Sequence, residues 1–129
     1  MSNGLRIMLV DDDKIDLFIH SELIKQIPHV SSVMQYGSGA AALKFLEEND
    51  ATGWPDVILL DIHMPMMSGF GFLASYVKLP KALREKCRVI MLSSTLNSGD
   101  HEQVKINGEI RGFLEKPLNI ANLVKLVES

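Results

Sequence analysis

Apolar residues along this chain occur in short runs that alternate with longer stretches of helical periodicity. Four of these runs stop at charged or hydroxyl residues: 7–10 before Asp11 and Asp12, 57–60 before Asp61, 89–92 before Ser93, and 112–114 shortly before Lys116. Short apolar runs with polar ends are typical of buried parallel strands. Their alternation with helical stretches predicts βα units repeated around a parallel sheet.

The chain divides into five predicted strand and helix pairs. The strands are predicted at residues 5–10, 32–36, 57–61, 89–92 and 110–114. The first helix is predicted over residues 14–27, with Ile15, Phe18, Ile19, Leu23 and Ile27 forming one apolar face. Ser68 and Asn119 are placed to cap two later helices, and residues 81–88 are predicted to be a charged connection.

Composition limits the functions that such a fold can serve. The 129 residues fit one domain, 1–129, and a hydrophobic fraction of 47% fits a soluble globular protein. A net charge of −3 without a basic stripe argues against a nucleic-acid-binding face. No apolar run suits a signal peptide or a membrane span, so we expect a cytoplasmic protein. Cys87, the single cysteine, cannot form an internal disulfide and is expected to be structural.

The polar residues at the strand ends are candidates for one shared site, because ligands of open α/β sheets bind beyond the carboxyl ends of the strands. Carboxylates of Asp11, Asp12 and Asp61 suit a hard divalent cation such as Mg²⁺. Ser93 and Lys116 add a hydroxyl and an ammonium group that suit phosphoryl oxygens. Because a carboxylate beside a cation can attack phosphorus, this set predicts a phosphorylation switch with Asp61 as the nucleophile.

Each of these residues also has a simpler structural explanation. The acidic triplet that ends at Asp13 could begin a helix, since aspartate favours the first turn. Asp61 could start a turn, and Ser93 could bond locally to the backbone. Lys116 could be a solvated residue before Pro117. Their joint occurrence at strand ends favours the shared site over four separate explanations.

Residues 37–42 match the glycine pattern G-x-G-x-x-A of dinucleotide-binding turns. That pattern belongs in the first βα turn, with an acidic partner after the next strand, whereas here it follows the second strand. Asp61 has the spacing of such a partner, but its position is better explained by a place in the acidic cluster. We therefore expect these glycines to relax a turn, and we expect no bound dinucleotide.

Together these residues resemble the receiver domains of two-component response regulators, with the signals in family order over residues 6–127. The matching signals are Val10-Asp11-Asp12-Asp13, Asp61-Ile62-His63-Met64-Pro65 with Gly69, Ser93-Ser94, and Lys116-Pro117. The resemblance implies the flavodoxin-like α/β fold, a doubly wound five-stranded parallel sheet with the order 2-1-3-4-5. It also implies a cis peptide bond between Lys116 and Pro117.

The same resemblance implies a role for each residue of the site. Asp61 would be the phosphoacceptor, and Asp11, Asp12, Asp61 and the backbone carbonyl of His63 would bind Mg²⁺. Lys116 would pair with the phosphoryl group, Ser93 would be the switch hydroxyl, and Phe113 would be the switch aromatic residue that follows it. His63 and Thr95 stand where the family varies, so the lifetime of the phosphoryl group is open.

The resemblance also implies the partners. A histidine kinase or phosphotransfer protein would supply the phosphoryl group, and an unknown protein partner would bind the surface of the last two βα units. Neither a nucleic acid nor a membrane is expected as a partner. Such a domain is not an enzyme in the usual sense, because it catalyses only its own phosphorylation and dephosphorylation.

Two other functions fit parts of the pattern. Phosphatases of the haloacid dehalogenase type use similar groups, but their nucleophile lies in an Asp-x-Asp motif on the first strand. Here the acidic pair comes first, and His63 stands where a second aspartate would follow Asp61. A pseudo-receiver, which binds partners without phosphorylation, would not need Asp12, Ser93 and Lys116 to be intact. The receiver hypothesis accounts for all of these residues.

Overall fold

The computed structural model describes residues 4–94 and 98–128, which form a parallel sheet with helices on both faces. The strands are β1 (Leu5–Val10), β2 (Val30–Tyr36), β3 (Val57–Asp61), β4 (Arg88–Ser93) and β5 (Ile110–Glu115). The helices are α1 (Lys14–Ile24), α2 (Gly39–Glu48), α3 (Gly69–Tyr76), α4 (Lys81–Lys86), α5 (Ser98–Ile106) and α6 (Ile120–Glu128). The five strands lie in the order β2-β1-β3-β4-β5, so the predicted doubly wound, flavodoxin-like order is confirmed.

Successive side chains of the central strands enter two apolar cores, one on each face of the sheet. In β3, Ile58 and Leu60 belong to the core under α2, α3 and α4, and Val57 and Leu59 belong to the core under α1 and α6. These four side chains are at most 1% exposed. Burial on both faces explains why the strands are continuous apolar runs in the sequence. Within the described residues, none of the helices is long and apolar enough to cross a membrane.

The first helix differs from the prediction both in its end and in its buried face. α1 ends at Ile24 instead of residue 27. Three residues of the predicted apolar face, Ile15, Phe18 and Ile19, are 70%, 64% and 45% exposed. The helix buries Leu17, His20, Ser21 and Ile24 instead. Periodicity identified the helix but not its rotation, because α1 carries apolar residues on two faces and tertiary packing decides which one faces the sheet.

The predicted charged connection before the fourth strand is also different in the structure. Residues 81–86 form α4, a single short helix that buries Leu83 completely. A helix of 6 residues with one buried apolar side chain has no periodicity that a sequence pattern could reveal. The strands β2 and β4 also begin slightly earlier than predicted, at Val30 and Arg88.

Polar side chains fix the beginnings of four helices. Oxygens of Asp13, Ser38, Ser68 and Asn119 accept hydrogen bonds from backbone amides of the first helical turn at 2.9–3.2 Å. The caps predicted for Ser68 and Asn119, and the helix start expected at Asp13, are therefore confirmed. Ser38 caps α2 within the glycine pattern at residues 37–42, which gives that pattern a structural role.

Cys87 is buried between the end of α4 and the start of β4. Its Sγ donates a hydrogen bond to the carbonyl of Pro55 at 2.8 Å. Burial raises the pKa of the Cys87 thiol, which disfavours the reactive thiolate. These contacts agree with the structural role expected for this residue.

We expect Gly69→Ala to lower the free energy of unfolding by about 1–3 kcal/mol. A Cβ at Gly69 would lie 2.7 Å from the carbonyl oxygen of Asp61 and 3.0 Å from the Cα of Ile62, and these backbone atoms cannot rotate away. Urea unfolding measures the loss. Gly71→Ala in the same helix is the matched control, since its Cβ would meet nothing closer than 3.4 Å. Equal losses in both variants would contradict the proposed clash.

Candidate functional site

The pairing of β1 with β3 brings the first acidic residues together. Val10 pairs with Leu60, so Asp11 and Asp61 follow neighbouring positions of two adjacent parallel strands. Asp11, Asp12 and Asp61 each contribute one side-chain oxygen to a cluster, and these three oxygens lie within 4.8 Å of one another. Asp11 and Asp61 are buried, at 4% and 5% exposure, and Asp12 is exposed. The structure therefore gathers the three predicted carboxylates at the carboxyl ends of the two central strands.

The donor set of this acidic cluster fits a hard divalent cation. Asp11 uses Oδ1 to accept a hydrogen bond from the amide of Asp13 at 2.9 Å. Its Oδ2 is buried and lies 2.8 Å from the Lys116 ammonium group. One ammonium group cannot balance three neighbouring carboxylates, so the cluster keeps an excess of negative charge that a bound cation would compensate. Three carboxylates also provide the ligand oxygens that Mg²⁺ prefers.

Asp61 is the most perturbed carboxyl group of the cluster. Burial and the nearby charge of Asp11 raise its pKa to about 6, against an opposing effect from Lys116. The backbone amide of His63, 3.4 Å from Asp61 Oδ1, also lowers the pKa of Asp61, though less than Lys116 does. Without a cation, the folded chain therefore holds a proton on Asp61 more tightly than the unfolded chain does.

Lys116 reaches the acidic cluster from the segment after β5. Its Nζ lies 2.8 Å from Asp11 Oδ2, 2.7 Å from Asp16 Oδ2 and 3.8 Å from Asp61 Oδ1. Both short contacts are ion pairs, and the one with Asp16 also has hydrogen-bond geometry. Although burial alone would lower the pKa of Lys116, the carboxylates of Asp11 and Asp16 raise it above its ordinary value. The side chain is 12% exposed, so a permanent positive charge is held inside the site.

The remaining predicted residues lie on β4 and β5. Ser93 follows Leu92, the partner of Asp61 in the sheet, and is 1% exposed. Its carbonyl accepts a hydrogen bond from the amide of Lys116 at 2.9 Å. Phe113 is half-buried on β5 and packs at the edge of one core. The peptide bond before Pro117 is cis, as the family resemblance implied.

The loop after Asp61 makes a contact that the sequence did not predict. His63 Nε2 lies 3.1 Å from Asp100 Oδ2, so this loop is tied to the first turn of α5. Asp100 is 8% exposed, and the side chain of His63 is 49% exposed. The role of the His63 carbonyl as a cation ligand stays a prediction. Thr95 lies outside the described residues.

Sequence reasoning missed Asp16 and Asp100, which both pair with residues of the site. Asp16 is separated from Lys116 by 100 positions, and no motif joins them. A signal for Asp16 was nevertheless present, because it follows the helix cap Asp13 at the spacing of the first turn. That turn begins at the same strand end as Asp11, so an acidic residue on it can reach the cluster.

We predict that Asp61→Asn gains stability relative to the parent as the pH rises, when EDTA keeps both chains free of metal. The pKa of Asp61 is about 6 in the folded chain and 3.8 ordinarily, so folding favours the protonated carboxyl. The resulting stabilisation is complete below pH 3.8 and is lost as the pH rises through 6. At about 1.4 kcal/mol per pKa unit, the parent loses roughly 3 kcal/mol of free energy of unfolding. The side-chain amide of the variant stays neutral and avoids this loss. Urea unfolding from about pH 4 to 8 measures the difference, and a constant difference would contradict the prediction.

Comparison with known families gives a match for nearly the whole chain. Residues 7–128 match the response regulator receiver domain. The chain is 25% identical over 123 residues to the polar-differentiation response regulator DivK of Brucella ovis, covering 95% of this chain and 93% of that protein. It is also 28% identical to a protein-glutamate methylesterase of Paramagnetospirillum magneticum, but spans 30% of the length of that larger protein.

Solved structures agree with this match. A response regulator receiver protein from Dyadobacter fermentans superimposes with a TM-score of 0.87 and 38% identity, covering 95% of this chain and 94% of that one. The receiver domain of an Arabidopsis thaliana histidine kinase, solved as a complex with Mg²⁺, has a TM-score of 0.76 and 26% identity, covering 94% and 90% of the two chains. With its acidic cluster at the carboxyl edge of a 2-1-3-4-5 sheet, this chain belongs to the response regulator receiver domain family.

Proposed function

We propose that this chain is a signalling switch that accepts a phosphoryl group on Asp61 and then binds a protein partner. The observation that carries the proposal is the position of Asp61, a buried carboxylate that lies within 4.8 Å of carboxylate oxygens of Asp11 and Asp12 and 3.8 Å from the Lys116 ammonium. Receiver domains serve two-component signalling, and that much applies to this chain through its family. The proposal concerns which residue accepts the phosphoryl group, which protein donates it and which surface then binds a partner.

Asp61 acts as the nucleophile in this proposal. One of its carboxylate oxygens forms a bond to phosphorus while the bond between phosphorus and the donor's leaving group breaks, and the leaving group keeps the electron pair. Asp11, Asp12 and Asp61, with the carbonyl of His63, would hold Mg²⁺, which would supply positive charge to neutralise the phosphoryl oxygens. Lys116 binds a phosphoryl oxygen, for which its charge and its burial suit it.

The output surface is assigned to the last two βα units, formed by β4, α5, β5 and α6. Ser93 and Lys116 belong to these units, so attraction to a new phosphoryl group acts on them directly. The contact between His63 and Asp100 adds a link from the phosphoacceptor loop to α5. Phe113, a half-buried aromatic residue on β5, is the residue proposed to follow the switch hydroxyl of Ser93. Phosphorylation then shifts an existing equilibrium between two surfaces.

The phosphodonor is assigned to a histidine kinase or a phosphotransfer protein that docks beside α1. Ile15, Phe18 and Ile19 form an exposed apolar face at i, i+3 and i+4 spacing. Met66, in the loop after Asp61, is fully exposed as well. Apolar residues exposed together beside a reaction site indicate a surface that a partner covers.

Intact-protein mass spectrometry after incubation with Mg²⁺ and acetyl phosphate tests the phosphoacceptor. We expect one phosphoryl adduct in the parent and none in Asp61→Asn, because the amide cannot attack phosphorus. An adduct on the Asn variant would place the acceptor elsewhere. An absence of adducts in the parent would favour a pseudo-receiver, and sustained turnover of p-nitrophenyl phosphate would favour a phosphatase.

A second experiment tests the docking face on α1. We expect Phe18→Ser to slow phosphorylation by a phosphorylated histidine phosphotransfer protein by about tenfold, as is usual for an apolar contact residue at an interface. Phosphorylation by acetyl phosphate should be unchanged, because that donor has no protein surface to dock. Lys44→Ser, at an exposed position on α2, serves as the control. Equal slowing with both donors would indicate damage to the site and would contradict a docking role.

A further inference from the structure

Lys116 makes its shortest contact with a residue outside the cation cluster. Asp16 Oδ2 accepts a hydrogen bond from Lys116 Nζ at 2.7 Å, whereas Asp61 Oδ1 lies 3.8 Å from the same nitrogen. The carboxylates that converge on a cation position are those of Asp11, Asp12 and Asp61. Asp16 therefore contacts the ammonium group without belonging to the acidic cluster.

The position of Asp16 is fixed by the start of α1. Its backbone amide donates to Asp13 Oδ1 at 3.1 Å, so the helix cap holds the first turn. The side chains of Asp16 and Lys116 are 29% and 12% exposed. A charge-assisted hydrogen bond in such partial burial is stronger than a surface ion pair, and both partners are held by backbone contacts.

We infer that Asp16 is a positioning residue that competes with the phosphoryl group for Lys116. In the unphosphorylated chain Asp16 holds the ammonium group 3.8 Å from Asp61. A phosphoryl group on Asp61 needs the same ammonium group, so Lys116 exchanges its hydrogen bond with Asp16 for one with a phosphoryl oxygen. This inference rests on the proposed phosphorylation of Asp61.

Competition follows from the position at which the carboxylates hold the ammonium group. The nitrogen of Lys116 lies 2.8 Å from Asp11 Oδ2 and 2.7 Å from Asp16 Oδ2, but 3.8 Å from Asp61 Oδ1, so a shift toward a group on Asp61 lengthens these contacts. The Asp11 carboxylate is also committed to the cation cluster, whereas the Asp16 carboxylate is not. The Asp16 contact is therefore the one that opposes movement of Lys116 toward a phosphoryl oxygen.

Binding of beryllofluoride, a stable analogue of the phosphoryl group on a carboxylate, tests this competition. With saturating Mg²⁺ and isothermal titration calorimetry, we expect Asp16→Asn to bind beryllofluoride roughly three- to tenfold more tightly than the parent, because a neutral acceptor holds the ammonium group less strongly. Asp16→Ser should tighten binding in the same direction. Asp13→Asn is the matched control, since it removes a charge from the same turn and asparagine caps a helix equally well.

Dependence on Lys116 separates competition from a general loss of negative charge. In a Lys116→Met background, Asp16→Asn should change beryllofluoride affinity no more than Asp13→Asn does. Unchanged or weaker binding by both Asp16 variants, beside a parent that binds normally, would overturn the inference and leave the proposed function intact. A parent chain that neither binds beryllofluoride nor accepts a phosphoryl group would overturn both.

Discussion

The balance between one ammonium group and several carboxylates determines what this site can do. Asp11, Asp12, Asp16 and Asp61 bring negative charge to one end of the sheet, and Lys116 compensates part of it. Burial of Asp61, together with the remaining excess charge from Asp11, raises the pKa of Asp61 to about 6. Such a site is poorly satisfied by the protein alone, and its excess of negative charge is the property that favours a bound cation there.

The fold tolerates this excess of negative charge because the sheet that carries the site is well packed. The central strands are buried on both faces, so the positions at their carboxyl ends are held firmly. Gly69 lets the backbone after Asp61 pack closely against the strand end. Stability from the two cores offsets the unfavourable electrostatics at the edge, which is a common arrangement where function needs a strained site.

Local patterns predicted the strands and the acidic cluster, and the family resemblance implied the order of the sheet. Buried strands are apolar runs, and their carboxyl ends must converge, so Asp11, Asp12 and Asp61 could be placed together without coordinates. Rotation of α1 could not be predicted, since Ile15 and Leu17 are both apolar and tertiary packing decides between them. The pairing of Asp16 with Lys116 could not be predicted either, because it joins positions far apart in sequence through side-chain geometry alone.

The rotation of α1 connects these observations. Turning Leu17 and Ile24 toward the sheet leaves Phe18 outside and directs Asp16 toward Lys116. One helix therefore carries both the proposed docking face and the carboxylate that opposes movement of Lys116. The packing that leaves Phe18 exposed therefore also fixes the 2.7 Å contact between Asp16 Oδ2 and Lys116 Nζ, because both follow from the same rotation of α1.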